Sequence, residues 1–556
     1  MKGMGMRRMM LAPMVLLLGS TAAPEPYSAA APAGTWCGSG DLEDPPARTV
    51  LLEGYGPGGF TITTKSAEAQ AFFTNGVQLA QAFAHKAAIK AFQEARRLDP
   101  ECAMCAWGEA WSTGPTINYG IKPDEAKKLA AMTEEAEKLA LAGNVTVRER
   151  NLIGALKLRY VGKTGNRDFA DAMDKITAMV PGDDAITTIT ADAHMIAAGE
   201  WNAESMKRPV ELLEIVLARN PDYAPAIHFY IHATEGAGYP ARAEKFADRL
   251  GIVAPAASHL VHMPSHTYYW IGRYADAATS NARAVEIDLA NAARLKLEGA
   301  DPAWKLAYHA HNVHFGLGGA LMAGDGEIAL KLARPMIAMA GRTPKLEAFV
   351  QIVLGEAYLA VAKYGAADEM LKVADPGAAN PFAQALWHYA RGEAYARAGN
   401  LAGIRAEARK MPKRVKDDKW AVSEPIHAVA RNVLEGRAAM LEKKPTRAAA
   451  LFAAAAAIEE AKPLSTFMDP PLWWYRHAAM RRRRCWQVAM PRGRWRPPTL
   501  RSNAVRTIRW RSRYADRRKL GWAPKQRARA TWPMPERAGV AGRCQTVLDR
   551  GGAIPF

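Results

Sequence analysis

Eight of the 13 histidines in this 556-residue chain lie between residues 228 and 314: His228, His232, His259, His262, His266, His309, His311 and His314. The segments HFYIH (228–232) and HMPSH (262–266) each set two of them four apart. Residues three and four apart share one face of a helix, so each segment aims two rings the same way. A neutral imidazole is a ligand for transition metals, and zinc (Zn) and copper (Cu) are the ions this set suits. His228, His232, His262 and His266 are the candidate metal ligands. His259, His311, His314, Tyr269 and Glu235 complete the candidate ligand-binding face. Glu235 could be a ligand, a carboxylate that orients a ring N–H, or a base. The zincin pattern is excluded, because Phe229 stands where its glutamate would be. A second chemistry uses no metal: the same rings, with Tyr230, Tyr268, Trp270 and Asn312, would line a polar groove for a peptide or small molecule. Packing alone is a poor account of so many imidazoles, since unpaired buried nitrogens are costly.

The elements that carry these rings recur. The second pair follows the first by 34 residues, the period of a helix–turn–helix repeat. The clearest copy is AQAFFTNGVQLAQAFAHKAAIKAFQEARRLDP (69–100), with Gly76 and Leu79 in its first helix, Ala88, Phe92 and Ala95 in its second, and Pro100 closing it. Small residues let helices approach, an aromatic fills the gap, and proline stops the helix for want of an N–H. Ala243, Ala277 and, beyond an insertion near 290–307, Ala329 fix the register in the histidine region. Fifteen residues before each stand His228, His262 and His314. Eleven before stand His232, His266 and Gly318. Eighteen before stand Pro225, His259 and His311. His194 lies 34 residues ahead of His228, in a repeat that 199–207 interrupts.

The run from FTNGVQLAQAFAHKAAIKAF through DPECAMCAWGEAWSTGPTINYG, HFYIHATE, HLVHMPSHTYYWIGRYADA and YHAHNVHF resembles bacterial exported tetratricopeptide-repeat (TPR) proteins, over roughly residues 65–475. The resemblance implies an all-α, right-handed helical solenoid of antiparallel helix pairs. It also implies that the second, fifth and ninth places of each repeat line a concave groove that binds a protein or peptide partner. It brings no established reaction.

Pro264 removes a helix hydrogen bond inside HLVHMPSH and is expected to kink the helix or mark a late start. Cys102 and Cys105 are no haem motif, since Ala106 replaces the required histidine, and no second cysteine pair completes a zinc site. A local disulfide, a bridge from one of them to Cys37, and plain apolar packing remain open.

Residues 1–23 read as a secretory signal peptide: Lys2, Arg7 and Arg8, a short apolar run from Met9 to Leu18, then small residues. This predicts a periplasmic or secreted protein with no transmembrane segment after cleavage. Residues 24–64, rich in Pro, Gly and Ala, read as a linker. The solenoid fills 65–475. Residues 476–556 carry 22 Lys and Arg against 3 acids, and the rest of the chain carries 52 against 52. The whole net charge of +19 therefore sits in this Arg-, Trp- and Pro-rich tail. It reads as disordered or as a GC-rich gene translated in the wrong frame, and on the frameshift reading no nucleic-acid partner is expected. The sequence thus predicts an exported TPR scaffold binding a protein, peptide or small ligand in a histidine-lined concave groove, with or without a transition metal. A metal-dependent enzyme using the same histidines is the alternative.

Overall fold

The computed structural model describes residues 49–162, 164–415, 421–466 and 470–473. The signal, residues 24–48 of the linker and the basic tail fall outside them. Helices and short connections make up the described residues, with no β-strand among them. Helices pair in antiparallel fashion along the chain: Ala67–Gln81 with His85–Leu98, His309–Ala323 with Gly326–Ala340, Ser423–Leu441 with Pro445–Glu459. This is the all-α TPR solenoid that the 34-residue period predicts. No described helix is long and apolar enough to cross a membrane.

One packing device recurs. A Cβ on Gly76 would lie 2.8 Å from the Phe92 ring, one on Gly316 2.5 Å from Leu332, and one on Gly436 2.6 Å from Phe452. In each case a glycine of the first helix receives an apolar side chain sixteen residues on, which closes the helix pair. Tyr230 and Phe246 do the same with an edge-on ring contact at 5.5 Å. Side-chain caps set the helix starts: Ser66 accepts from Ala69 N–H, Asp325 from Ile328 N–H, and Thr146 with Glu149 forms a capping box.

The part of the Pro/Gly/Ala-rich segment that is described, 49–64, is a docked strap where its composition alone reads as linker. Leu52 exchanges two hydrogen bonds with the Asn75 side chain (2.9 and 2.8 Å), and Gly54 O accepts from Ala256 N–H. Gly54 (φ +82°) and Gly56 (φ +83°) need the left-handed region, and a Cβ on either would sit 2.7 Å from Ala256 or Ala224 Cβ. The strap therefore lies between the first helix pair and the central repeats. Asn118, in the loop after helix Ala103–Ser112, hydrogen-bonds Tyr308 Oη at 3.1 Å and ties that loop to the central repeats. The inside of the solenoid at the histidine repeats is closed by its own chain. At the other end Leu472 and Trp473 are buried, with Trp473 packed on Tyr389.

Candidate metal centre

His228 and His232 project from helix Ala224–Gly236, His259 and His262 from Ser258–His262, His266 from Pro264–Ile271, and His311 from His309–Ala323. Pro264 restarts the helix as its first residue, but Met263 keeps helical angles (φ −50°, ψ −37°). The break therefore leaves His262 and His266 on one face, with Nε2 atoms 3.1 Å apart. His311 Nε2 reaches His262 Nε2 at 3.1 Å from the next repeat. A tetrahedral ion with metal–nitrogen bonds of about 2.0–2.1 Å places its ligand nitrogens about 3.3 Å apart, so this spacing suits coordination.

The ring protons are assigned by their partners. Asn281 Nδ2 donates to Ala277 O, which turns Oδ1 towards His262, and His262 Nδ1–H donates to it at 2.7 Å. His266 Nδ1 lies 3.1 Å from a Glu235 oxygen, a carboxylate that can only accept. Both Nδ1 atoms carry the proton, so both Nε2 atoms present lone pairs, and those lone pairs face each other. Two facing lone pairs repel unless a cation lies between them. Glu235 also accepts from Trp270 Nε1–H at 2.9 Å, which holds the carboxylate in place.

A second triad stands beside the first. Ligand atoms of His228, His232 and His259 all lie within 4.8 Å of one another, as do those of His262, His266 and His311. Burial holds His232, His259, His262 and His311 neutral, their affinity for a proton far below that of a free imidazole, and brings His228 down to about 3. Desolvation is the main cause, and repulsion among the rings adds to it. Neutral rings are the form that ligates.

Two expectations are corrected. The histidines do not line an open concave groove: His228, His262 and His266 are wholly buried, and His232 and His311 are 1% exposed. Phe83, held at φ +59°, covers them, its ring 4.5 Å from His228 and 5.0 Å from His259, and Phe315 backs the other triad. The four ligands proposed as one set also fall into two, each completed by a ring from the following repeat. His314 joins neither triad; it pairs with Glu356 at 2.8 Å. Tyr269 donates its hydroxyl to Phe315 O at 2.7 Å. Asn281, Gln81 and Phe83 were not legible as site residues, since none recurs at the repeat period. His309, paired with Asp288 at 3.0 Å, lies just outside. Cys102 and Cys105 form a disulfide, with S–S 2.11 Å.

No family model matches the chain, and no curated protein matches it. Among solved structures, the human IFIT1 dimer with m7Gppp-AAAA is 13% identical over 72% of this chain and 79% of that one, at TM-score 0.27. The APC/C hetero-tetramer Cut9–Hcn1 is 12% identical over 75% and 76%, at 0.26. The P58(IPK) TPR domain is 12% identical over 76% and 100%, at 0.19. Scores this low carry no argument about this chain, and its fold rests on its own repeats.

Proposed function

We propose that this chain is an exported repeat scaffold that holds a transition-metal ion inside its solenoid at His262, His266 and His311. The observation that carries the reading is the pair of committed Nδ1–H groups, on Asn281 and Glu235, which leave Nε2 lone pairs converging in a closed interior. A histidine ligand whose other nitrogen donates to a carboxylate is a recurring arrangement at metal sites. Partner proteins are met on the outer surface or the ends of the solenoid, because the inner face at these repeats is filled. Export rests on residues 1–23, and places metal capture in the periplasm or outside the cell.

Elemental analysis of the purified chain tests the reading. Stoichiometric zinc or copper is expected, and His266→Ala or His311→Ala is expected to reduce it. A wild-type chain that takes up no metal from either ion at neutral pH sinks it. The enzyme alternative is favoured by one observation only: a small cavity is lined by His259 together with Tyr55, Phe83, Asp288 and Tyr308.

A further inference from the structure

The site just proposed has a neighbour built to the same plan. His262 and His266 occupy the fifth and ninth places of one repeat, and His311 the second place of the next. His228 and His232 occupy the fifth and ninth places of the preceding repeat, and His259 the second place of the repeat after it. The pattern is complete twice and fails on both sides. Upstream, His194 has Ala198 and Pro225 at the other two places and is paired with Asp174 at 2.7 Å. Downstream, His314 has Gly318 at the ninth place, where a Cβ would lie 2.6 Å from Pro470 and 2.7 Å from Tyr269 Oη.

We propose that His228, His232 and His259 hold a second ion, so that the solenoid interior carries an adjacent pair of copper ions. This rests on the reading of the first triad as a metal site. His228 Nδ1–H donates to Gln81 O at 2.8 Å, so its Nε2 lone pair points at His259 Nε2, 3.2 Å away. His232 is 1% exposed and neither of its ring nitrogens has a hydrogen-bond partner. Burying an imidazole so costs stability that an apolar ring of the same size would not. A ligand role accounts for the exception. The two triads touch: His232 and His266 ring centroids are 5.4 Å apart, and His259 stacks on His262 at 5.6 Å.

The choice of ion follows from charge. Gln81 O, a neutral carbonyl, is the acceptor behind the second triad, where Glu235 stands behind the first. A closed site of neutral donors favours the ion that brings the least uncompensated charge, and copper has a monovalent form. Among divalent ions copper also binds nitrogen donors most tightly. Each triad would supply three imidazole ligands to its ion.

The full chain, stripped of metal, is loaded under anaerobic conditions with excess copper(I) supplied as its acetonitrile complex, desalted, and its copper counted per chain. Two ions are expected in the wild type, one in His228→Ala, one in His311→Ala and none in the double variant. His232→Phe guards against misfolding: it fills the same space, and the metal-free variant is expected to melt no lower than wild type yet hold one ion. One ion in the wild type, kept by His232→Phe and lost by His311→Ala, overturns the pair while the first site stands. Two ions kept by His232→Phe overturn the assignment of the second triad. No copper at all removes the pair and, if zinc is also refused, the proposed function with it.

Discussion

His266 Nδ1 stands 3.1 Å from Glu235 Oε2, with the histidine wholly buried and the glutamate side chain 7% exposed. The glutamate is one helical turn beyond His232, while the imidazole belongs to the next repeat. This contact fixes the ring's proton on Nδ1 and raises the basicity of Nε2. Removing such a carboxylate from behind a ligand lowers metal affinity roughly 10–100-fold. Glu235→Gln keeps an acceptor for Trp270 and the same volume. It is expected to weaken the first site by that factor, read by competition with a chromophoric chelator, while leaving helicity unchanged. An affinity equal to wild type would show that the carboxylate plays no part in tuning the site.

Asp192 supplies a pH dependence apart from the triads. Desolvation pushes its carboxyl up to about 7, against a smaller opposing pull from Arg159. A carboxyl raised in the folded state favours folding fully below its unfolded value near 3.8, and that contribution is lost as pH rises through 7. Asp192→Asn is therefore expected to raise stability at pH 8, by on the order of 2 kcal/mol after allowance for partial exposure, and to change it little at pH 4. His85 has the opposite sign: burial lowers it to about 4, so its contribution is present above 6.5 and lost as pH falls towards 4. Urea denaturation of wild type and Asp192→Asn at pH 4, 6 and 8 checks the sign. Equal midpoints at pH 8 would contradict it.

Phe92 is wedged between Gly76 of its own repeat and Gly108 of the next, and a Cβ on Gly108 would collide with its ring. Overpacking of this kind costs about 1–3 kcal/mol. Gly108→Ala should lower the unfolding free energy by that amount, read from urea denaturation, and Phe92→Leu in the same chain should recover part of it, since contacting sites are not additive. Strict additivity would show that the ring and the new methyl do not meet.

The Cys102–Cys105 bridge closes a loop of only four residues at the start of helix Ala103–Ser112. By chain entropy so short a loop contributes roughly 2 kcal/mol. In the non-reduced, unfolded chain neither cysteine should react with iodoacetamide, and both should react after reduction, by peptide mass analysis. Labelling of either one before reduction would mean that the pair is open.

The repeat period was legible because glycine, alanine and aromatic residues stand at fixed offsets, and the helix pair expected over 69–100 is found at Ala67–Gln81 and His85–Leu98. The register also aligned His228 with His262 and His232 with His266. Grouping was harder to read, because ligands at equivalent places do not meet one another. A ring at the second place leans back onto the fifth and ninth places of the repeat before it, so His259 serves the triad of His228 and His311 that of His262. Burial was illegible for another reason. The cover comes from Phe83 and Gln81, nearly 150 positions upstream of His228, and from a strap whose composition signals only a flexible connection. Local sequence holds no trace of a contact made at that distance.

That cover makes the first helix pair a door. Gln81 completes the hydrogen bonding of His228, and Phe83 lies across both it and His259, so an ion seated on those rings leaves only when the end of helix Ala67–Gln81 swings away. Its residence time is then governed by how often that pair undocks, and excess chelator extracts it at a rate that no longer rises with chelator concentration. By the same linkage a bound ion would hold the door shut, and a chain that acquired metal while still folding would keep it.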